Sequence, residues 1–211
     1  MANTWAKYYR TLLTDIVGRV AKSHGFPVRA IEAAETRLGY RLPASLRDYY
    51  LTIGRHPLNR VHNRLLPPDD LEVHRGRLVF MEENQRVVFW GLQGRSTAAD
   101  PLVFQTTDLD TGEWFVEARC SRFLSAMLCW QAISGLPHTG YSNPMPVADA
   151  RRATRGWRTA GRLNGMDTFV CDGGVVCALE DGASVILHIG TRTTRTLRAV
   201  ASELGVGLHA G

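Results

Sequence analysis

No run of 18 consecutive apolar residues occurs in the chain, so no segment reads as a membrane-spanning helix. The N-terminal stretch MANTWAKYYRTLL also lacks the basic, then apolar, then small-residue order of a secretory signal, which makes the cytoplasm the expected compartment. Cysteine is scarce. Cys120, Cys129, Cys171 and Cys177 are the four present, too few and too irregularly spaced for a disulfide scaffold or a CxxC zinc pair, and they read as packed thiols in a reducing environment. The GxGxxG, P-loop, HExxH and GxSxG patterns are missing, which removes the common cofactor and hydrolase motifs. His56, His62 and His74 lie in or near one loop, but none has the i,i+4 spacing of a helical zinc pair and no Cys is close, so they read as solvated loop histidines. A nucleophilic Cys needs a His and an orienting group that no spacing here supplies, and Cys171 and Cys177 flank a hairpin turn. The reading is a protein with no catalytic residues, no metal and no cofactor. Repeats of fixed period and low-complexity segments are likewise absent.

What is present is enough apolar material for a core: 45% of 211 residues are hydrophobic, sufficient for one large domain or one domain plus an extension. The net charge of +5 and pI near 9.3 permit an acidic partner without demanding one. The first 55 residues read as helices. Trp5, Tyr9, Leu12, Ile16 and Val20 recur at helical spacing, and Gly25 with Pro27 closes that run. A second helix opens at Pro27 with Ile31, Ala34 and Leu38 on its stripe and Gly39 as its left-handed exit. Leu42-Pro43 forces an extended step before a third helix carrying Leu46, Tyr49, Tyr50 and Ile53 and ending at Gly54.

Residues 55–70, RHPLNRVHNRLLPPDD, read as a long loop; RLVFME, a turn at Glu83-Asn84-Gln85 and RVVFWGL then read as a hairpin. In its second strand Val87 and Phe89 are expected on one face and Val88 and Trp90 on the other, so both faces need cover. DPLVFQTT and EWFVEA follow around the turn DLDTG, and SRFLSAMLCWQAISG reads as a core helix with Ser121 as its N-cap. After a Pro-rich break, HTGYSNPMPVADA, the strands MDTFVC, VVCALE and ASVILHIG form an expected three-stranded meander before a helix around Thr194 to Leu204. The expected class is therefore α+β: N-terminal helices on a largely antiparallel sheet of hairpins in residues 1–137, with a C-terminal α+β extension in 138–211 packed on it. Arg151, Arg155, Arg158 and Arg162 are spaced four, three and four apart. On a helix they would form a basic stripe beside Trp157, readable as a solvated face, a protein-partner patch or a nucleic-acid contact. Gly156 and Gly161 weaken that helix.

Ile31, Ala34-Glu35, Leu38-Gly39, Leu42-Pro43, Leu46, Tyr49-Tyr50 and Gly54 spell I-x2-AE-x2-LG-x2-LP-x2-L-x2-YY-x3-G. This string resembles the N-terminal signature of the SUKH superfamily, which includes the fungal cell-wall assembly regulator and many bacterial immunity proteins. Leu66-Pro67, VVFWG and Asp100-Pro101-Leu102-Val103 look like the family's later elements, and the likeness covers about residues 27–135. It implies an α+β domain without catalytic residues, often encoded beside a polymorphic toxin that it blocks by binding. Each signature residue also has a structural job: the glycines end helices, Leu-Pro sets a turn and the large residues pack. For Glu35 the job is a surface pair with Arg29 or Arg37, or acceptance of backbone N–H groups at the turn.

The expected function is protein binding: an immunity protein for a cognate toxin first, a regulatory or scaffolding module with a housekeeping partner second, a nucleic-acid binder through residues 151–162 third. No membrane is involved. Partner contact is expected at Asp69, Asp70 and Glu72 of the long loop, at Glu82 and Glu83 of the hairpin turn, and at Trp90. Inhibitors of nucleases often carry strong negative charge to compete with nucleic acid. In this net-positive chain, either the acidic loop acts locally or the toxin is not a nuclease.

Overall fold

The computed structural model describes residues 4–110 and 112–210, so Thr111 of the expected DLDTG turn and the first three residues of the N-terminal stretch lie outside it. The fold is α+β with two antiparallel sheets. The chain divides into two compact units, one holding residues up to Thr11 with Val20–Leu124, the other Leu12–Arg19 with Ser125 onward. The division differs from the expected break at 137 because it falls inside two helices, α1 (Thr4–Val17) and α4 (Cys120–Gly135). Helix α1 stops short of the expected Val20: Gly18, at φ 87°, turns the chain out.

In the first unit α2 (Val28–Leu38) begins after Pro27 and leaves through Gly39 at φ 76°, whose N–H donates to the Glu35 and Thr36 carbonyls. Pro43 then stands extended before α3 (Ala44–Ile53), which buries Leu46, Tyr49, Tyr50 and Ile53. Gly54 ends α3 differently from expectation. It is right-handed, at φ −60°, and its lack of a side chain serves packing: a Cβ there would lie 2.8 Å from Tyr50 Cα and 3.1 Å from the Phe26 ring.

The residues expected as a long loop are largely built. Two 3-10 turns, Pro57–Arg60 and Pro68–Asp70, alternate with β1 (Arg64–Leu65) and β2 (Glu72–His74). Both strands pair the same edge of β3 (Arg77–Glu82), β1 at its end through Arg64↔Glu82 and β2 at its start through His74↔Arg77. Beyond β3 the sheet continues through β4 (Phe89–Gln93), β5 (Leu102–Thr106) and β6 (Phe115–Arg119). Strand β4 starts later than the expected RVVFWGL. Arg86 at φ 61° puts Val87 and Val88 in the turn, which Glu83 N–H closes by donating to Val88 O at 2.8 Å. Cross-strand pairing places Val79, Gly91, Phe104 and Val116 in one row on the outer face. Trp90 and Met81, paired with each other, face the other way. The Phe80 and Trp90 rings meet Phe123 of α4 at 5.7 and 5.8 Å. That helix is capped not by Ser121 but by Asp100, whose carboxylate accepts from Ser121 N–H and Oγ–H, each at 2.7 Å.

The second unit is richer than a three-stranded meander. Strands β10 (Met166–Cys171), β11 (Gly174–Asp181) and β12 (Ser184–Thr191) form the expected core. They are flanked by β9 (Arg158–Leu163) on one side and by β7 (His138–Tyr141) and β13 (His209–Ala210) on the other, with β8 (Met145–Pro146) also on β12. Helices α5 (Val147–Ala153) and α6 (Thr194–Leu204) cover one face, Ala150, Val200 and Leu204 packing on Val176, Val185, Leu187 and Ile189. On α4, Trp130 meets His188 edge-on at 5.8 Å. The expected Pro-rich break is thus β7, β8 and α5. The basic stripe is not one helix face either: Arg151 lies on α5, Arg155 in a turn at Gly156 (φ 84°), and Arg158 and Arg162 on β9, paired with Asp15 and Asp167. Gly156 breaks the helix that the spacing suggested.

Candidate partner-binding cleft

The segment from Arg64 to His74 is held along the edge of β3 because its own apolar residues demand cover: Leu65, Leu66 and Leu71 are buried. Its backbone is then tied down from the helices. The Tyr50 hydroxyl donates to Leu66 O at 2.6 Å; just before the segment, the Tyr49 hydroxyl donates to the Asn59 side chain at 2.7 Å. Arg37 spreads its guanidinium over three carbonyls of the 3-10 turn and the residue after it, donating to Leu71 O at 2.9 Å and to Pro68 O and Asp69 O at 3.1 Å each. Glu35 works on the opposite connection: its carboxylate accepts from Leu42 N–H at 3.0 Å and pairs with Arg47 at 3.3 Å. Of the expected jobs for Glu35 the backbone one holds. Its arginine is Arg47, since Arg37 is engaged elsewhere.

This segment and the β3–β4 hairpin enclose a cleft of about 230 Å³ lined by Arg64, Asp69, Asp70, Glu72, His74, Glu82 and Arg86, with Leu66, Val79, Phe89 and Leu109 beneath. Four carboxylates face two guanidiniums. Their situations differ. Glu82, its side chain 8% exposed, is held at 2.8 Å by Arg64 and at 3.3 Å by Arg86, so it braces the cleft and is withdrawn as a partner contact. Glu72 pairs with His74 at 3.1 Å. Asp69 and Asp70 are exposed and make no ion pair among the described residues. Glu83 does not line the cleft; its carboxylate accepts from Gln85 N–H at 2.7 Å within the turn. Trp90 is the clear correction among the expected contacts. It is 7% exposed, faces Phe123 and donates its indole N–H to Gln105 Oε1 at 3.1 Å, so it is core, because β4 starts at Phe89 and sends Trp90 to the helix side.

The expected contacts therefore reduce to Asp69, Asp70 and Glu72. Arg64 and Arg86 were not expected at the site, and Arg37 was expected only as a partner for Glu35. Arg64 and Glu82 are register partners 18 positions apart, a relation invisible before the sheet is known, whereas Glu82 and Arg86 stand at i,i+4 across a turn and carried a readable charge signal.

Burial pushes the Cys120 and Cys129 thiols up to about 12 and Cys171 to about 11, and raises Cys177 well above its ordinary value, so none is poised as a thiolate. Among the described residues no cluster of three or more His, Cys, Asp or Glu is placed to hold a metal ion, and no helix is long and apolar enough to cross a membrane. No family model, curated protein or solved structure matches the chain.

Proposed function

We propose that the chain is a non-enzymatic, SUKH-like binding protein of the cytoplasm, an immunity protein that neutralises a cognate toxin by laying the cleft against a basic surface. The observation that carries this reading is the state of Asp69 and Asp70: exposed, without an ion pair among the described residues, and mounted on a turn whose carbonyls Arg37 clamps. Charge held on a rigid support loses little entropy on binding and steers encounter from a distance. The resemblance of residues 27–135 to the SUKH signature supports the choice of a toxin as partner, and local acidity answers the net positive charge of the chain.

The test is binding kinetics with the product of the adjoining reading frame. Reversing Asp69, Asp70 and Glu72 to Lys slows association by about tenfold or more in low salt, by less in high salt, with a smaller effect on dissociation. An unchanged association rate for that triple variant, with slowing instead on reversal of Arg151, Arg155 and Arg158, makes the basic residues the docking surface and sinks the proposal. A toxin-like gene directly upstream accords with immunity; an isolated gene points to the regulatory alternative.

A further inference from the structure

The arginine-rich stretch 151–162 has no part in the cleft of the first unit; within the second unit it builds a hollow of its own. Gly156, at φ 84°, swings the chain out of α5, and pairing with Val170 of β10 then sets Arg158 at the start of β9. The bend, the end of β10 and α6 enclose a cavity of about 310 Å³ with Arg155, Trp157, Arg158, Cys171 and Glu203 in its walls. Trp157 is half-buried, packed in part on the core beneath α5 and α6 and in part lining the cavity. The charges divide. Arg152 is spent on Asp149, Arg158 on Asp15 and Arg162 on Asp167, while Arg151 lines a separate cavity with Asp167 and Glu180. Arg155 and Glu203 are both exposed and make no ion pair among the described residues, with each other or with any third group, although they line the same cavity. An aromatic wall, a guanidinium and a carboxylate therefore stand together without satisfying one another.

We propose that this cavity binds a nucleoside monophosphate, its base against Trp157, its phosphate on Arg155 and its ribose hydroxyls donating to the Glu203 carboxylate. Planar guanidinium suits a phosphate through paired N–H donors, a carboxylate suits a ribose diol, and the volume stands at the lower end of ligand pockets, which run from about 300 to 1,000 Å³. Other anions use less of the site. Inorganic phosphate or an acidic peptide engages Arg155, leaves the aromatic wall idle and meets Glu203 with like charge. A single strand of nucleic acid needs a track of cations along its backbone, and here the neighbouring arginines are ion-paired or line another cavity.

The test titrates the full chain with AMP, GMP, CMP and UMP by isothermal titration calorimetry. At least one is expected to bind with a Kd of about 1 mM or below. Arg155→Gln, at an exposed position, weakens that nucleotide about tenfold or more with an unchanged thermal melt and leaves the corresponding nucleoside unaffected. Glu203→Gln removes most of the preference for the ribonucleotide over its 2′-deoxy analogue. A footprint on the unaltered chain gives a second reading: Cys171 is half-buried while the other three cysteines are buried, so its alkylation by iodoacetamide in alkaline buffer reports on the cavity, and nucleotide at twice its Kd slows that reaction about threefold. No binding of any of the four below about 10 mM, an Arg155→Gln variant that binds the nucleotide as the wild type does, Cys171 labelling indifferent to bound nucleotide, or an oligouridylate that binds more tightly with a salt dependence steeper than one phosphate contact gives overturns the proposal.

Discussion

Tyr9 and Tyr50 are both fully buried in the first unit, and removing one hydroxyl from each is the same chemical change with opposite expected signs. The Tyr50 hydroxyl donates to Leu66 O at 2.6 Å; Tyr50→Phe takes the donor from a carbonyl in a buried segment and costs about 1 to 3 kcal/mol. The Tyr9 hydroxyl has no hydrogen-bond partner among the described residues, and burial holds its pKa far above the usual tyrosine range. Tyr9→Phe removes a desolvated polar group while leaving the ring against Tyr49, 4.9 Å away, so it is neutral or stabilises by up to about 1 kcal/mol. Urea unfolding of each variant, followed by fluorescence of buried Trp90 in the same unit, measures both. Hydrogen exchange adds a second reading, because Tyr50→Phe should speed exchange in residues 64–72 and Tyr9→Phe should not. Equal costs for the two substitutions would falsify the assigned hydrogen bonding and leave ring packing as the whole explanation.

Acidification should destabilise the first unit through His56, whose pKa burial and then the neighbouring His24 ring depress to about 4. The unfolded chain takes up this proton near pH 6.5 and the folded one only near 4, so stability is full above pH 6.5 and falls as pH drops between those values, by about 1 to 2 kcal/mol after allowance for solvent screening; His56→Gln should flatten urea unfolding midpoints across that window. Gly39→Ala and Gly54→Ala should both destabilise, but for different reasons. Nothing lies within 4 Å of a Cβ at Gly39, so its cost is left-handed strain of about 1 to 2 kcal/mol and Gly39→Asn recovers part of it. Gly54 fails by overpacking at about 1 to 3 kcal/mol, and Gly54→Asn, measured by thermal melt, should be worse than Ala.

The helical part of the first unit was readable because its signals are local. A left-handed glycine, a Leu-Pro step and apolar residues three or four apart each act within one turn of chain, and α2 and α3 lie where those signals put them. The errors arose where the deciding partner is remote. Arg151, Arg155, Arg158 and Arg162 have helical spacing, yet residues 158–163 are drawn into β9 by pairing with β10, which no local period announces. Residues 55–74 are polar enough to read as a loop, but Leu58, Leu65, Leu66 and Leu71 are buried and pull two 3-10 turns and two short strands onto the sheet. The same remoteness explains the site. Asp69, Asp70 and Glu72 could be found by their charge, while the arginines that clamp their turn and hold Glu82 beside them come from α2, β1 and the β3–β4 turn.

Helix α2 links the signature to the cleft. Glu35 and Arg37 are two residues apart, so they project to different sides of the helix. One reaches forward to Leu42 N–H and Arg47 and fixes where α3 begins; the other reaches across to the carbonyls of Pro68, Asp69 and Leu71. Helix α3 in turn sends Tyr50 to Leu66 O on the same segment, and Tyr49 to Asn59 in the turn before it. The acidic turn is therefore held from two helices whose mutual placement depends on Gly39, Leu42 and Pro43. Residues that look purely architectural thus decide where the exposed carboxylates of Asp69 and Asp70 stand, and a change at the α2–α3 turn should reach partner binding through the backbone at 68–71 without any contact of its own.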